Sequence, residues 1–229
     1  MPNLVPLYGK DKKIFSTTDG SFSFFNLTYN EAYRAKSVGA YNESLYKFVL
    51  GSGIIDRLKK GNVKLLDICF GLGYNLAITI DEAIKSGATN RLEIISLEID
   101  RELPEIVKEN LIFFPYKGYE ILRKLLKSTV EDNFSLNIHF GDASKTIFKI
   151  NKKFDVIFFD PFSKSKNPEM WDIKIFKRLY DLLDNDGVVV TYACSKKIRK
   201  EFEEACFKVF STPNLPNDFQ PGTLLKKSH

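Results

Sequence analysis

From residue 63 onward, short apolar runs alternate with amphipathic ones, and this alternation constrains the fold more than any other feature. VKLLDIC, LEIISLEI, LNIHF and FDVIFFD have strand length and are nearly continuous in apolar character. Between them, YNLAITIDEAIKS, LPEIVKENLIFF, YEILRKLLKS and ASKTIFKI place apolar residues at helical spacing. Asn167-Pro168 predicts a cap and first-turn proline opening a helix through IKIFKRLYDLL. Asp186-Gly187 predicts a turn into the strand VVVTYA. In SKKIRKEFEEACFKV, Ile198, Phe202, Ala205 and Cys206 share one helical face, and FKVFST and GTLLKK read as two closing strands. Strands apolar on both sides need cover on both faces. The expected architecture is α/β, with a largely parallel sheet between helical layers. Ligands of such sheets sit at the carboxyl ends of the strands.

The first 62 residues follow a different pattern, irregular and aromatic. KKIFSTTDGSFSFFN predicts a hairpin around Thr-Asp-Gly. Asn42 is expected to cap a helix through ESLYKFVL, which GSG at 51–53 interrupts before IIDRLKK. We expect an N-terminal extension over 1–62 and the α/β domain over 63–229, a division that 229 residues accommodate.

Composition excludes some chemistries. His139 and His229 are the only histidines, and Cys69, Cys194 and Cys206 form no C-x-x-C pair, so neither a metal centre nor a serine-type triad is expected. The cysteine usage suits a reducing compartment. No apolar run approaches the roughly 18 residues of a membrane span, and MPNLVPLYGKDKK lacks a signal-peptide core. The expectation is a cytoplasmic protein without membrane contact. The net charge of +5 permits a polyanionic partner, and equally suits a solvated basic face. Nothing in the pattern sets an oligomeric state.

The strand tips carry the chemistry. The first strand ends in LDICFGLGYN, where Asp67, Gly71 and Gly73 form an acid-x-x-x-Gly-x-Gly turn into a helix. Glycines allow close backbone approach to a ligand, and a branched side chain at Gly73 is expected to fill that space. Cys69 stands where a further glycine is expected. Glu98, ending the second strand, suits the two hydroxyls of a ribose, unless it or Asp100 simply caps the next helix. Asp142, after the third, suits an adenine amino group or the cap of ASKTIF. Together they point to an adenosine ligand, with Asp160 at the fourth tip beside its reactive end.

The fourth strand runs on into DPFSKSKNPEMW. This stretch resembles the signature of the MnmC-type tRNA methyltransferases. FGLGYN, YNEAYRAKSVGAYNESLYKFVL, VTYACSKKIRKEFEEACFKV and FQPGTLLKK resemble further segments of that family, so that the likeness runs from about 17 to 227. The closing strand resembles the branch without an attached FAD-dependent oxidase domain. The resemblance implies a Rossmann-like class I methyltransferase fold, its seven-stranded, largely parallel sheet ending in an antiparallel strand. It implies S-adenosyl-L-methionine as cofactor and 5-aminomethyluridine at the tRNA wobble position as substrate. It adds Glu43, Phe70, Asn75 and Ala143 to the cofactor site, and assigns Asp160 to catalysis. Phe162 becomes the candidate for base stacking, with Lys164 and Lys166 facing anticodon stem-loop phosphates. Met170 and Trp171 border the base pocket or pack in the core. With no FAD fingerprint in the chain, a precursor made oxidatively is expected from a separate enzyme. Two other readings are a spermidine synthase-like aminopropyltransferase, which the basic SKSKN loop disfavours, and a non-catalytic RNA-binding module, which the intact glycine turn and Asp160 disfavour.

Overall fold

A computed structural model of the chain describes residues 11–111, 115–213, 215–217 and 219–228. The aromatic N-terminal segment forms an antiparallel sheet of β1 (Lys12–Ser16), β2 (Phe22–Asn26) and β3 (Glu31–Ala32). Helix α1 (Ala40–Glu43) continues through wide π-type turns over Ser44–Leu50, and α2 (Ile54–Lys60) follows. The N-cap of α1 is Gly39, not Asn42, whose backbone N–H instead donates to Asp19 Oδ2 at 3.1 Å. The hairpin is seated on the domain by Phe24, fully buried, and by Tyr74, whose hydroxyl donates to the Phe22 carbonyl at 2.8 Å.

The alternation then gives β4 (Val63–Ile68), α3 (Tyr74–Lys85), β5 (Leu92–Glu98), α4 (Glu102–Lys108), α5 (Lys117–Ser128), β6 (Val130–Glu131), β7 (Phe134–Phe140), α6 (Ala143–Thr146) and β8 (Phe154–Phe159). A 3-10 turn (Pro168–Trp171), α7 (Ile173–Leu182), β9 (Leu183–Thr191), α8 (Lys196–Glu204), β10 (Phe207–Ser211) and β11 (Thr223–Lys227) complete it. The main sheet runs β10-β11-β9-β8-β4-β5-β7-β6. It has eight strands among the described residues, one more than expected. The addition is the two-residue edge β6, antiparallel to β7 and too short to leave a sequence pattern. The expected antiparallel last strand is β11, inserted between β10 and β9.

Alternation along β4 feeds two cores. Val63 and Leu65 join the layer of α2, α3 and α5, while Leu66 and Ile68 join that of α6, α7 and α8. Some boundaries differ from expectation. The helix foreseen from 168 to 183 is split at Asp172, which is extended (φ −78°, ψ 144°) and caps α7 through the Lys174 N–H. That break lets Met170 and Trp171 turn inward, each 2% exposed. Residues 183–187 belong to β9, with a register irregularity between Phe154 and Val156 absorbing the expected turn. The helix from Leu103 ends at Lys108; residues 112–114 of its expected span lie outside the described residues. No helix among the described residues is long and apolar enough to cross a membrane.

β4 pairs with β5 on one side and β8 on the other, all parallel. From β4 the chain moves outward through β5 to β7, then crosses back to β8 on the other side of β4, so the strand order reverses there and a crevice opens at the carboxyl ends.

Candidate active site

The turn after β4 has three residues with positive φ: Cys69 (73°), Gly71 (57°) and Gly73 (72°). A side chain at such a position costs about 1–2 kcal/mol, so Cys69 carries strain that glycine would not. The two glycines face different ways. A Cβ on Gly71 would meet the Tyr33 ring at 3.7 Å and the Cys69 carbonyl oxygen at 4.0 Å, both ordinary contacts, and Gly71 and Tyr33 both line the cavity. A Cβ on Gly73 would lie 2.8 Å from Leu122 Cδ2 and 2.9 Å from Phe70 Cζ. Gly73 therefore serves the packing of α3 on α5; the expectation that a side chain there enters the ligand space is corrected.

Glu98 ends β5 at the cavity wall, pinned by backbone. Its Oε2 accepts from Gly71 N at 2.8 Å, and its Oε1 from Ile99 N and Asp100 N, both at 2.8 Å. Burial outweighs these donors and pushes its carboxyl up to about 7. Asp67 sits opposite Ser96 in the β4–β5 register, and its Oδ2 accepts from Ser96 Oγ at 2.6 Å. Its Oδ1 is buried without a hydrogen-bond partner among the described residues, and burial pushes this carboxyl up to about 7 as well. Asp142 caps α6, accepting from Ser144 N at 3.0 Å and Oγ at 2.7 Å, and is outside the cavity lining, as is the buried Ala143. Phe70 lines the cavity from the turn.

Asp160 follows β8 at the back of the crevice, its N–H bonded to the Ile68 carbonyl at 3.2 Å. Two groups converge on Oδ2: Arg34 Nη2 at 2.7 Å and Asn75 Nδ2 at 2.8 Å. No hydrogen bond from the described residues reaches Oδ1, although Asp160 lines the cavity. Arg34 Nη1 lies 3.6 Å from Glu43 Oε2, and Glu43 Oε1 pairs with Lys47 at 3.0 Å. All four charged side chains are at least nine-tenths buried. They form one chain of alternating sign, Asp160–Arg34–Glu43–Lys47. Burial raises the Asp160 carboxyl to about 6, against the opposing pull of Arg34.

The DPF loop is held from several elements. Tyr192 OH donates to the Pro161 carbonyl at 3.0 Å, and Trp171 Nε1 to that of Phe162 at 2.8 Å. Glu31 on β3 accepts from Ser163 N at 3.1 Å and Oγ at 2.6 Å. The Phe162 ring packs between Tyr29 and Tyr33, at 4.8 and 4.9 Å between centroids. Met170 and Trp171 pack in the core, away from the lining. Lys164 pairs with Glu201 at 2.6 Å, and Lys166 is exposed.

These walls enclose a cavity of about 790 Å³, within the range of small-molecule sites. The extension contributes Tyr29, Glu31, Tyr33, Arg34 and Glu43 to it, and Lys12 clamps β1 to the opposite rim through Asp100 and Glu102, each at 2.7 Å. Sequence reasoning missed Arg34, Tyr29, Tyr33 and Lys12. The available signal was Arg34 itself, the sole arginine of the first 56 residues, in an aromatic stretch.

Residues 101–218 match a model of the S-adenosyl-L-methionine-dependent methyltransferase family. The crystal structure of MnmC2 from Aquifex aeolicus is similar at a TM-score of 0.83 and 34% identity, covering 94% of this chain and 70% of that one. An uncharacterized protein of Methanocaldococcus jannaschii is 29% identical over 86% of this chain and 54% of its own length. The tRNA 5-methylaminomethyl-2-thiouridine biosynthesis bifunctional protein MnmC of Campylobacter hominis is 32% identical over 83% of this chain and 29% of its own. The chain thus spans about half the length of the archaeal relative and under a third of the bifunctional one.

Proposed function

The chain belongs to the S-adenosyl-L-methionine-dependent methyltransferase family that includes MnmC2 of Aquifex aeolicus, and on that premise we propose that it methylates the side-chain amine of 5-aminomethyluridine at the wobble position of tRNA. The names of its bifunctional relatives, which refer to tRNA 5-methylaminomethyl-2-thiouridine biosynthesis, support this substrate. The observation that carries the reading is Asp160, with Oδ2 locked by Arg34 and Asn75 and Oδ1 left to the cavity.

The residues present suit the cofactor. Gly71 offers bare backbone along the wall, and Glu98 is a pinned carboxylate for hydroxyl donors. Asp67 Oδ1 and Asn75 Oδ1, behind the same turn and outside the cavity lining, are buried acceptors without a partner among the described residues. Acidic walls also suit a cation. S-adenosyl-L-methionine would supply a sulfonium methyl group as electrophile.

The substrate nitrogen carries a proton in water at neutral pH and has a lone pair only after losing it. Asp160 Oδ1 is placed to align the amine and accept that proton, directly or through water. Holding the nitrogen in line supplies a further share of the acceleration. Tyr29, Tyr33 and Phe162 line the approach with aromatic surface against which an unstacked base can lie.

The test is mass spectrometry of nucleosides after incubating the protein with S-adenosyl-L-methionine and tRNA bearing 5-aminomethyluridine. A mass gain of one methylene on that nucleoside is expected. In Asp160→Asn, single-turnover transfer should fall by about 10²–10⁴-fold. Unmodified nucleoside from a cofactor-binding protein, or transfer only from decarboxylated cofactor, would overturn the assignment.

A further inference from the structure

We propose that Arg34 is the positioning residue of the reaction, fixing Asp160 through Oδ2 and balancing its charge so that the substrate amine reacts as the free base. This rests on the reading that Asp160 serves an amine. Three observations carry it. Arg34 lies on the segment between β3 and α1, yet its guanidinium reaches the carboxylate across the cavity at 2.7 Å. Arg34 also lines the cavity, so its charge bears directly on whatever enters. And the chain Asp160–Arg34–Glu43–Lys47 contains two anions and two cations, so it adds no net charge to the site.

Neutrality matters because the substrate arrives as a cation. A lone buried carboxylate would trap it as an ammonium–carboxylate pair, which has no lone pair to donate. With Arg34 already satisfying Asp160, an ammonium gains little by staying protonated in a buried site, and loses hydration. The proton passes to Asp160 Oδ1, or through water to solvent, and the nitrogen lone pair is freed. Asn75 holds the same Oδ2, so the remaining oxygen has one defined direction.

Other ionisable groups surround Asp160. Glu43 and Lys47 face it from the extension, Asp67 and Cys69 from β4 and its turn, and Tyr192 from beyond β9. Of these, Asp67 titrates in the same range, at about 7, so Asp67→Asn serves as a control in each measurement.

Two variants separate charge from geometry. Arg34→Met removes both the charge and the bond to Oδ2. Arg34→Lys keeps the charge and shortens the reach. Loss of the positive charge raises the proton affinity of Asp160 and of the bound amine alike. In Arg34→Met, the acid limb of the single-turnover rate should therefore move to higher pH by about 1–3 pH units, the usual range for a close opposite charge. The KM for tRNA should hold or fall while kcat drops at pH 7, and alkaline pH should restore much of the rate. Arg34→Lys should lose rate with the limb in place. Carbon-13 carboxyl NMR of the protein without substrate gives a second readout. The signal absent from Asp160→Asn should titrate at higher pH in Arg34→Met than in wild type. If Arg34→Met does not fold, Arg34→Gln replaces it, with the same direction expected. An unmoved limb and an unmoved Asp160 titration in a folded, uncharged variant would overturn the proposal. Absence of any product with the wild-type protein would instead overturn the functional reading, while the NMR titration would still report on Arg34.

Discussion

The two glycines of the turn after β4 make a sharp pair of probes, because alanine at each should damage a different property. At Gly73 the added methyl meets Leu122 Cδ2 at 2.8 Å and Phe70 Cζ at 2.9 Å, and φ is +72°. The left-handed backbone costs about 1–2 kcal/mol and the overpacking about 1–3 kcal/mol. Reduced freedom of the unfolded chain returns about 0.4–1 kcal/mol. The net is a loss of about 1–5 kcal/mol, or roughly 2–20 °C in Tm for a chain of this size. At Gly71 the backbone cost recurs (φ +57°), but the nearest side-chain atom, Tyr33 Cδ1, is at an ordinary 3.7 Å. Gly71→Ala should therefore lose only about 1 kcal/mol of stability. Its methyl projects along the cavity wall, and affinity for S-adenosyl-L-methionine should drop about tenfold, equivalent to about 1.4 kcal/mol. Calorimetric melting and titration calorimetry read the two effects on the same samples. The reasoning fails if Gly73→Ala melts like wild type, or if Gly71→Ala binds the cofactor normally.

Asp67 gives a pH-dependent stability effect. Its carboxyl ordinarily titrates near 3.8 and in the fold near 7, so the folded state holds the proton more tightly between those values. Its contribution is complete below about pH 4 and is lost as pH rises through about 7. Asp67→Asn should thus gain stability over wild type at pH 8, by up to roughly 4 kcal/mol, and show no gain at pH 4 in urea titrations. Asp142→Ser keeps an oxygen to cap α6. If Asp142 contacts adenine, this variant should melt normally and bind S-adenosyl-L-methionine several-fold more weakly; unchanged affinity would leave Asp142 with the cap alone. Of the two loop lysines, Lys166 is exposed and Lys164 is paired with Glu201. Lys166→Ala should lower the salt dependence of tRNA binding by close to one phosphate contact, Lys164→Ala by less, and an affinity indifferent to salt would argue against an RNA substrate.

Much of this protein was legible in its residues because the relevant signals are local. Apolar runs of strand length, separated by helical periodicity, specify a covered parallel sheet wherever they occur. Given that sheet, residues that end strands must gather at one edge, so the sequence alone groups Asp67, Glu98 and Asp160. The DPFSKSKNPEMW run likewise marked the loop that closes the cavity. What the sequence left undecided are properties of pairs distant along the chain. Nothing in YRAKS announces that Arg34 will meet Asp160, because that contact depends on how the three-stranded extension lies across the crevice. The direction of each glycine was also hidden, since both have positive φ and only the packing of α5 tells Gly73 from Gly71. Phe162 illustrates the same division. Its place beside the acid is a matter of sequence, whereas its enclosure between Tyr29 and Tyr33 follows from burial, which rewards proximity in space without regard to separation along the chain.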